Sequence, residues 1–318
     1  MCPADDNFLT SSRDGTVRLW DAKTAACTGK MDVTTCTTSG STADSNIDPH
    51  TCHAVYDHTG LVFCVTAAQN KKTFKGRNNI FTGNEHCVHL YDARNFSGGA
   101  FAEMQVTHAS IRDALLLTAS TASSTNSTSP VVWTKEEADE MSSAPWSNVQ
   151  FNASGKQLLV TTASKSIHNN NNNKNKGGGL VMLVDGFDAS VGHVFNTSSS
   201  YSASRSAAAD PAVGNNENVD PNSYADTPSA CFTPDDKTVL VAGGSNDNND
   251  GVVRCYSAES GVELSKLENN IESSSSSGGG GGGGGMSSVG STFCSVACSP
   301  NLAVVATSCD YHTALWSW

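Results

Sequence analysis

Histidines and cysteines recur at spacings that suit metal ligands: His50-x-x-His53, His86-x-x-His89 and Cys294-x-x-x-Cys298. A metal needs about four converging donors. The surrounding residues argue against convergence. Cys294 and Cys298 fall on an expected strand, where residues four apart share a face but stand about 13 Å apart. His89 also falls on an expected strand, with His86 just before it. Thr28-Gly29-Lys30-Met31 lacks both the upstream glycine and the Ser/Thr after lysine that a phosphate loop requires. The Gly278–Gly285 run has the composition of a linker rather than of a phosphate cradle. No Gly-x-Ser-x-Gly elbow places a nucleophile beside a base. We therefore expect no catalytic residue, no metal, no cofactor and no small-molecule substrate.

Another polar pattern asks for structural chemistry. Ser12-x-Asp14 precedes Trp20, and Ser308-x-Asp310 precedes Trp316, with the same spacing. A buried indole N–H needs an acceptor, and a buried carboxylate needs donors. The six residues are expected to form two hydrogen-bonded chains: Ser12, Asp14 and Trp20 in one, Ser308, Asp310 and Trp316 in the other.

The elements that carry them repeat. Tyr56-Asp57-His58-Thr59-Gly60 leads into Leu61–Val65, and Phe151-Asn152-Ala153-Ser154-Gly155 into Leu158–Val160. Phe232-Thr233-Pro234-Asp235-Asp236 leads into Val239–Val241, and Cys298-Ser299-Pro300-Asn301 into Ala303–Val305. Each reads as strand, tight turn, strand. A third strand follows, ending at Asp21, Asp92, Asp185, Tyr256 or Trp316. After four of these comes a turn and one more strand. Four antiparallel strands, repeated, describe a β-propeller blade. Blades are expected at roughly 8–33 (partial), 51–106, 146–196, 227–268 and 292–318 (lacking its outer strand) of a single domain spanning 1–318.

Between them lie insertions at roughly 34–48, 107–145, 165–178, 197–226 and 269–291. They are rich in Ser, Thr, Asn and Gly and are expected to be disordered surface loops. Doubling a loop's length costs only about 0.6 kcal/mol, so such excess is tolerable. Lys135–Glu140 is open to two readings, a short helical turn or a solvated charge run.

Bulk properties agree. The chain has 318 residues, of which 37% are hydrophobic and 16% charged. A net charge of −12 fits basic partners and disfavours nucleic acid. Eleven cysteines lie scattered through apolar stretches and read as reduced core residues. Met1–Thr10 has no apolar signal-peptide core, and no apolar run approaches the length of a membrane span.

Phe8–Asp21 carries a WD-repeat signature. Tyr91–Phe101, Trp146–Val160, Leu183–Ala189 with Gly192–Phe195, Ala230–Asp236 and Phe293–Trp318 follow in an order that resembles one WD-repeat family. That family is the small WD-repeat subunit of the COMPASS histone H3 lysine 4 methyltransferase complex, also found with protein phosphatase 1 and mRNA 3′-end processing complexes. The resemblance implies an all-β WD40 propeller, expected to be N-terminally truncated, with four to five of seven blades present. It implies a non-catalytic nuclear scaffold on chromatin, whose partners are a methyltransferase catalytic subunit and a phosphatase regulatory subunit. Val184 and Cys255-Tyr256 depart from the usual blade pattern. A different scaffold class is also open. Tyr91-Asp92-Ala93-Arg94 resembles the WD-x-Arg box of substrate receptors for cullin-type ubiquitin ligases, in which Arg94 would face the ligase adaptor. The simpler expectation is that Arg94 pairs with an acid of a neighbouring blade.

Overall fold

The structure is a computed structural model. It describes residues 1–12, 14–33, 46–75, 78–121, 133–163, 165–168, 175–196, 199–201, 228–245, 251–268, 293–299, 302, 304–309 and 312–317. Five blade-like antiparallel sheets follow one another along the chain. Sheet 1 holds β1 (Asn7–Ser11), β2 (Thr16–Asp21) and β3 (Ala26–Asp32). Sheet 2 holds β4 (Asn46–Tyr56), β5 (Val62–Lys75), β6 (Asn78–Asp92) and β7 (Ala102–Val106). Next come the helices α1 (His108–Thr121) and α2 (Lys135–Ser142). Sheet 3 begins with β8 (Trp146–Phe151) and β9 (Gln157–Thr162). A side excursion forms β10 (Lys165–His168) and β11 (Asn175–Gly178). The sheet then resumes with β12 (Leu180–Asp185) and β13 (Val191–Asn196), and β14 (Ser199–Tyr201) pairs back onto β11. Sheet 4 holds β15 (Ser229–Phe232), β16 (Thr238–Ser245), β17 (Gly251–Ser257) and β18 (Glu263–Glu268). Sheet 5 holds β19 (Phe293–Cys298), β20 (Val304–Cys309) and β21 (His312–Ser317). Among the described residues no strand of sheet 5 pairs with sheet 1, so the sheets are not closed into a full ring. No described helix is long and apolar enough to cross a membrane.

The turn chemistry explains the repeat. In sheets 2, 3 and 4 the turn between the first two strands closes with the same backbone bonds: Asp57 N–H to Val62, Asn152 to Gln157, and Thr233 to Thr238. The chain reverses through a left-handed residue: Gly60 (φ 72°), Gly155 (φ 69°) and Asp236 (φ 60°). Glycine takes that conformation freely, and aspartate tolerates it. The leading polar side chain then accepts from the strand beyond: Asp57 from Val62, Asn152 from Lys156 and Gln157, and Thr233 from Thr238.

The core lies between sheets. Their central strands are buried on both faces; β12 runs Leu180, Val181, Met182, Leu183 and Val184 with none more than 1% exposed. Period-two alternation therefore gives way to a continuous apolar run. The described cysteines are free thiols; Cys2, Cys52, Cys64, Cys87, Cys231 and Cys255 are buried.

The loop expectation over 107–145 is corrected for its described parts. α1 and α2 form a helical pair packed on sheets 2 and 3. Ile111, Leu115, Trp133, Ala138 and Met141 join one cluster with Cys64, Val88, Val106, Met182 and Val194. Thr134 caps α2: its hydroxyl accepts from the Glu137 N–H, and the Glu137 carboxylate accepts from the Thr134 N–H. This capping box and the burial of Ala138 and Met141 make Lys135–Glu140 a helix rather than a solvated run. Arg112 of α1 reaches Asp139 of α2 at 3.3 Å. The expected loops at 165–178 and 197–226 contain the short strands β10, β11 and β14, and the one at 34–48 yields its last residues to β4. Residues 34–45, 122–132, 169–174, 202–227 and 269–292, where loops are expected, lie outside the described residues.

Candidate interaction surface

Antiparallel order fixes what lies at each end of a sheet. Turns joining strands one to two and three to four share one end. Connections joining strands two to three, and one sheet to the next, leave from the other. All the long insertions leave from the second end. The first end, the turn end, is made of tight turns.

The turn end is cross-braced. In four sheets the residue after the third strand donates its N–H to the carbonyl of the one-to-two turn or its counterpart. These bonds are Ala22 to Asp6 (2.9 Å), Ala93 to Leu61 (2.8 Å), Gly186 to Lys156 (2.7 Å) and Ala258 to Lys237 (2.8 Å). Three of the donors are alanine; at the fourth, Gly186, a Cβ would stand 2.9 Å from the Lys156 oxygen. Neighbouring sheets also touch here. A Cβ on Gly60 would sit 2.6 Å from the Cys2 sulfur. The Asp236 carboxylate accepts from Ala153 N–H (2.6 Å) and Ser154 N–H (2.7 Å) across sheets 3 and 4. His193 Nε2 lies 2.9 Å from the Glu259 carbonyl, and its ring packs on Gly261. The turns thus form a platform braced within each of sheets 1 to 4 and tied between sheets 1 and 2 and between sheets 3 and 4, with the His58 ring of sheet 2 near Gly155 of sheet 3. Rigid loops held in a fixed frame suit partner binding.

The two expected indole chains are drawn differently. Trp20 Nε1 donates to Thr10 Oγ1 (2.9 Å), not to Ser12. Trp316 Nε1 donates to Thr307 Oγ1 (2.9 Å), not to Ser308. Register gives the reason. Trp20 stands opposite Phe8 and Trp316 opposite Val305, so each threonine is the diagonal neighbour two residues along the partner strand. That diagonal is within reach of a long side chain. Ser12 lies past the end of β1, where its hydroxyl accepts from the Asp14 N–H. Asp14 accepts from the Thr16 N–H and hydroxyl, which hold its carboxyl below the usual carboxylate range. Ser308 faces Ser295, with oxygens 2.8 Å apart. Asp310 lies outside the described residues. Both indoles are half-buried rather than buried.

Arg94 is also placed differently from expectation. Its guanidinium forks onto Asp92 of its own turn, at 3.0 and 2.8 Å, rather than onto a neighbouring blade. A two-residue separation within a turn lets the Arg94 N–H bond the same carboxylate, which reinforces the pairing. The fork holds the Asp92 carboxyl down to about 2. The pair is solvent-exposed.

The histidine motif does not converge. His86 and His89 both lie within β6, so His86 is not before the strand as expected. They are three residues apart and point to opposite faces. The His50 and Cys294 side chains lie outside the described ones. Cys298 instead accepts from Cys231 of the adjacent sheet, sulfur to sulfur at 3.3 Å, which favours its thiolate. No group of three or more His, Cys, Asp or Glu among the described residues could hold a metal ion.

Sequence reasoning missed a buried polar seam between sheets 2 and 3. The His86 ring stacks on Trp146 at 4.4 Å, nearly parallel. His53 Nε2 lies 2.9 Å from the Trp146 carbonyl. Burial, with His108 and His53 nearby, pushes His86 down to about 3. Thr66 Oγ1, His86 Nε2 and Trp146 Nε1 have no partner among the described residues. Trp146 and Trp133 are the deeply buried indoles of the chain's described part, 3% and 5% exposed.

No family model matches the chain. The Set1 complex component swd2 of Schizosaccharomyces pombe is 27% identical over 107 residues, which span 34% of this chain and 22% of that protein. Among solved structures, a chain of the crystal structure of the mitotic checkpoint complex overlays with a TM-score of 0.38 and 10% identity, covering 99% of this chain and 72% of that one. Dihydro-heme d1 dehydrogenase NirN overlays at 0.35 and 10% identity, covering 83% and 35%. The partial match to a WD-repeat protein agrees with sheets built and ordered like WD-repeat blades.

Proposed function

We propose that this chain is a non-catalytic WD-repeat scaffold subunit of a chromatin-associated histone H3 lysine 4 methyltransferase complex of COMPASS type. The observation that carries the reading is the stretch of likeness to a Set1 complex component. The hydrogen-bonded turn platform supports the scaffold part of it, because a rigid surface lowers the entropy lost on binding. In this reading the partners are a methyltransferase catalytic subunit and, in a second assembly, a phosphatase regulatory subunit linked to transcription termination. Its place is the nucleus, and the acidic surface keeps it off nucleic acid directly.

Affinity purification of the tagged chain from nuclear extract, followed by mass spectrometry, tests the reading. Co-purifying methyltransferase subunits support it. Their absence, with a cullin adaptor recovered instead and lost on Arg94→Ala, overturns it in favour of a ubiquitin-ligase substrate receptor.

A further inference from the structure

The turn end is unusual in what it exposes. Consecutive sheets 2, 3 and 4 each present a large apolar side chain on the turn between strands three and four: Phe101 is 60% exposed, Phe187 74% and Val262 50%. Leu61 (46%) and Leu302 (64%) add apolar side chains on one-to-two turns of the same end. Single exposed apolar residues are ordinary on a protein surface, but a series on one end is not. Each is anchored: the sheet 2 and sheet 3 turns by bonds within their own sheet, and the sheet 4 turn against sheet 3. Leu61 is bonded to Ala93 of the neighbouring turn, Phe187 follows the Gly186 bonded to Lys156, and Val262 follows the Gly261 packed on His193.

The same turns are acidic. Asp5, Asp6, Asp185, Asp188, Asp235 and Glu259 stand among these side chains. The basic side chains there are fewer, and two are already engaged: Lys23 with Asp6 at 2.6 Å and Arg94 with Asp92 at 2.8 Å. Backbone and hydroxyl donors on the Ser190 and Thr233 turns hold Asp188 and Asp235 below the usual carboxylate range, so both are ionised at neutral pH.

We propose that the turn end docks a Lys/Arg-rich protein segment carrying apolar side chains. These would sit against Phe101, Phe187 and Val262, with the basic residues facing the carboxylates between them. Charge complementarity selects this occupant. A second copy would bring the same acidic end against itself, and nucleic acid or anionic lipid would meet repulsion. The proposal rests on the scaffold reading and adds where the partner sits and what chemistry it carries.

Fluorescence anisotropy with three labelled twelve-residue peptides tests it on the full chain: one alternating Arg with Leu, one alternating Glu with Leu, and one alternating Arg with Ser. The Arg/Leu peptide is expected to bind, more weakly at high salt, and the other two at least tenfold less well. The double variant Phe101→Ser/Phe187→Ser should lose about tenfold in affinity, and Glu259→Lys several-fold at low salt. Both variants change exposed side chains, so melting curves should match the parent and exclude misfolding. Equal binding of all three peptides, or unchanged binding by both variants, overturns the proposal. A concentration-dependent dimer in sedimentation that the double variant abolishes also overturns it, in favour of self-association. The double variant still recovering methyltransferase subunits in the purification above would leave the scaffold reading intact and remove only this surface from it.

Discussion

Sheets 1 and 5 pin an indole to a threonine, whereas sheets 2, 3 and 4 place Tyr91, Val184 and Tyr256 at the same strand position. The residue two along the partner strand changes in step. It is Thr10 or Thr307 beneath tryptophan, and Val65, Val160 or Val241 in the three inner sheets. Those valines are 3%, 0% and 1% exposed. A half-buried indole N–H needs an acceptor, and a threonine hydroxyl at the diagonal supplies one. Where Tyr91, Val184 or Tyr256 replaces the indole, a buried hydroxyl there would lose that donor, so an aliphatic side chain fills the position. The comparison teaches that the tryptophan and threonine form one unit, and that the blade pattern drops both together; Thr307, 1% exposed, is buried with its hydroxyl satisfied by Trp316.

The largest effect should come from the inner seam. Trp146→Ala is expected to cost about 3–5 kcal/mol in denaturant unfolding. Trp20→Ala should cost about 1–2 kcal/mol, because that indole is half-buried and stacks on Phe8. Equal losses would break the distinction between inner and flanking sheets. Exchanging the diagonal residue sharpens it. Val160→Thr buries an unpartnered hydroxyl and should cost about 2–3 kcal/mol, whereas Thr307→Val should cost about 1 kcal/mol.

The seam also confers a pH dependence. His86 is lowered to about 3 in the folded chain, against about 6.5 when unfolded. The neutral ring therefore contributes stability that is fully present above pH 6.5 and is lost progressively as pH falls below it. Between pH 7 and pH 5 His86 should account for a loss of about 2 kcal/mol, read from urea melts, and His86→Phe should remove that share, leaving the slope from the buried His53 and His89, whose values burial also lowers. At the small end, Arg94→Ala should leave melting unchanged, since its pair with Asp92 is exposed and screened by solvent.

The blades could be read in the sequence because their turns carry it. Asp57–Gly60 and Asn152–Gly155 state both the capping side chain and the left-handed residue. The helical pair was written there too. Thr134-x-x-Glu137 is a capping box, and Ile111, Ala114 and Leu115 repeat at helical spacing. Both signals sat beside a Ser/Thr-rich tract whose composition argued for a loop. The indole acceptors could not be read, because the diagonal depends on register and the local Ser-x-Asp spacing competes with it. The interaction surface was also hidden. Phe101, Phe187 and Val262 lie far apart in sequence, and the alternation of strand direction brings them to one end.

Amide hydrogen exchange at the turn end tests the rigid, repeated platform most directly. Ala93, Gly186 and Ala258 should exchange slowly and to similar degrees, although each sits in a surface turn, because each N–H is held by the neighbouring turn. Exchange at all three as fast as in an unstructured peptide would contradict a scaffold built from braced blades.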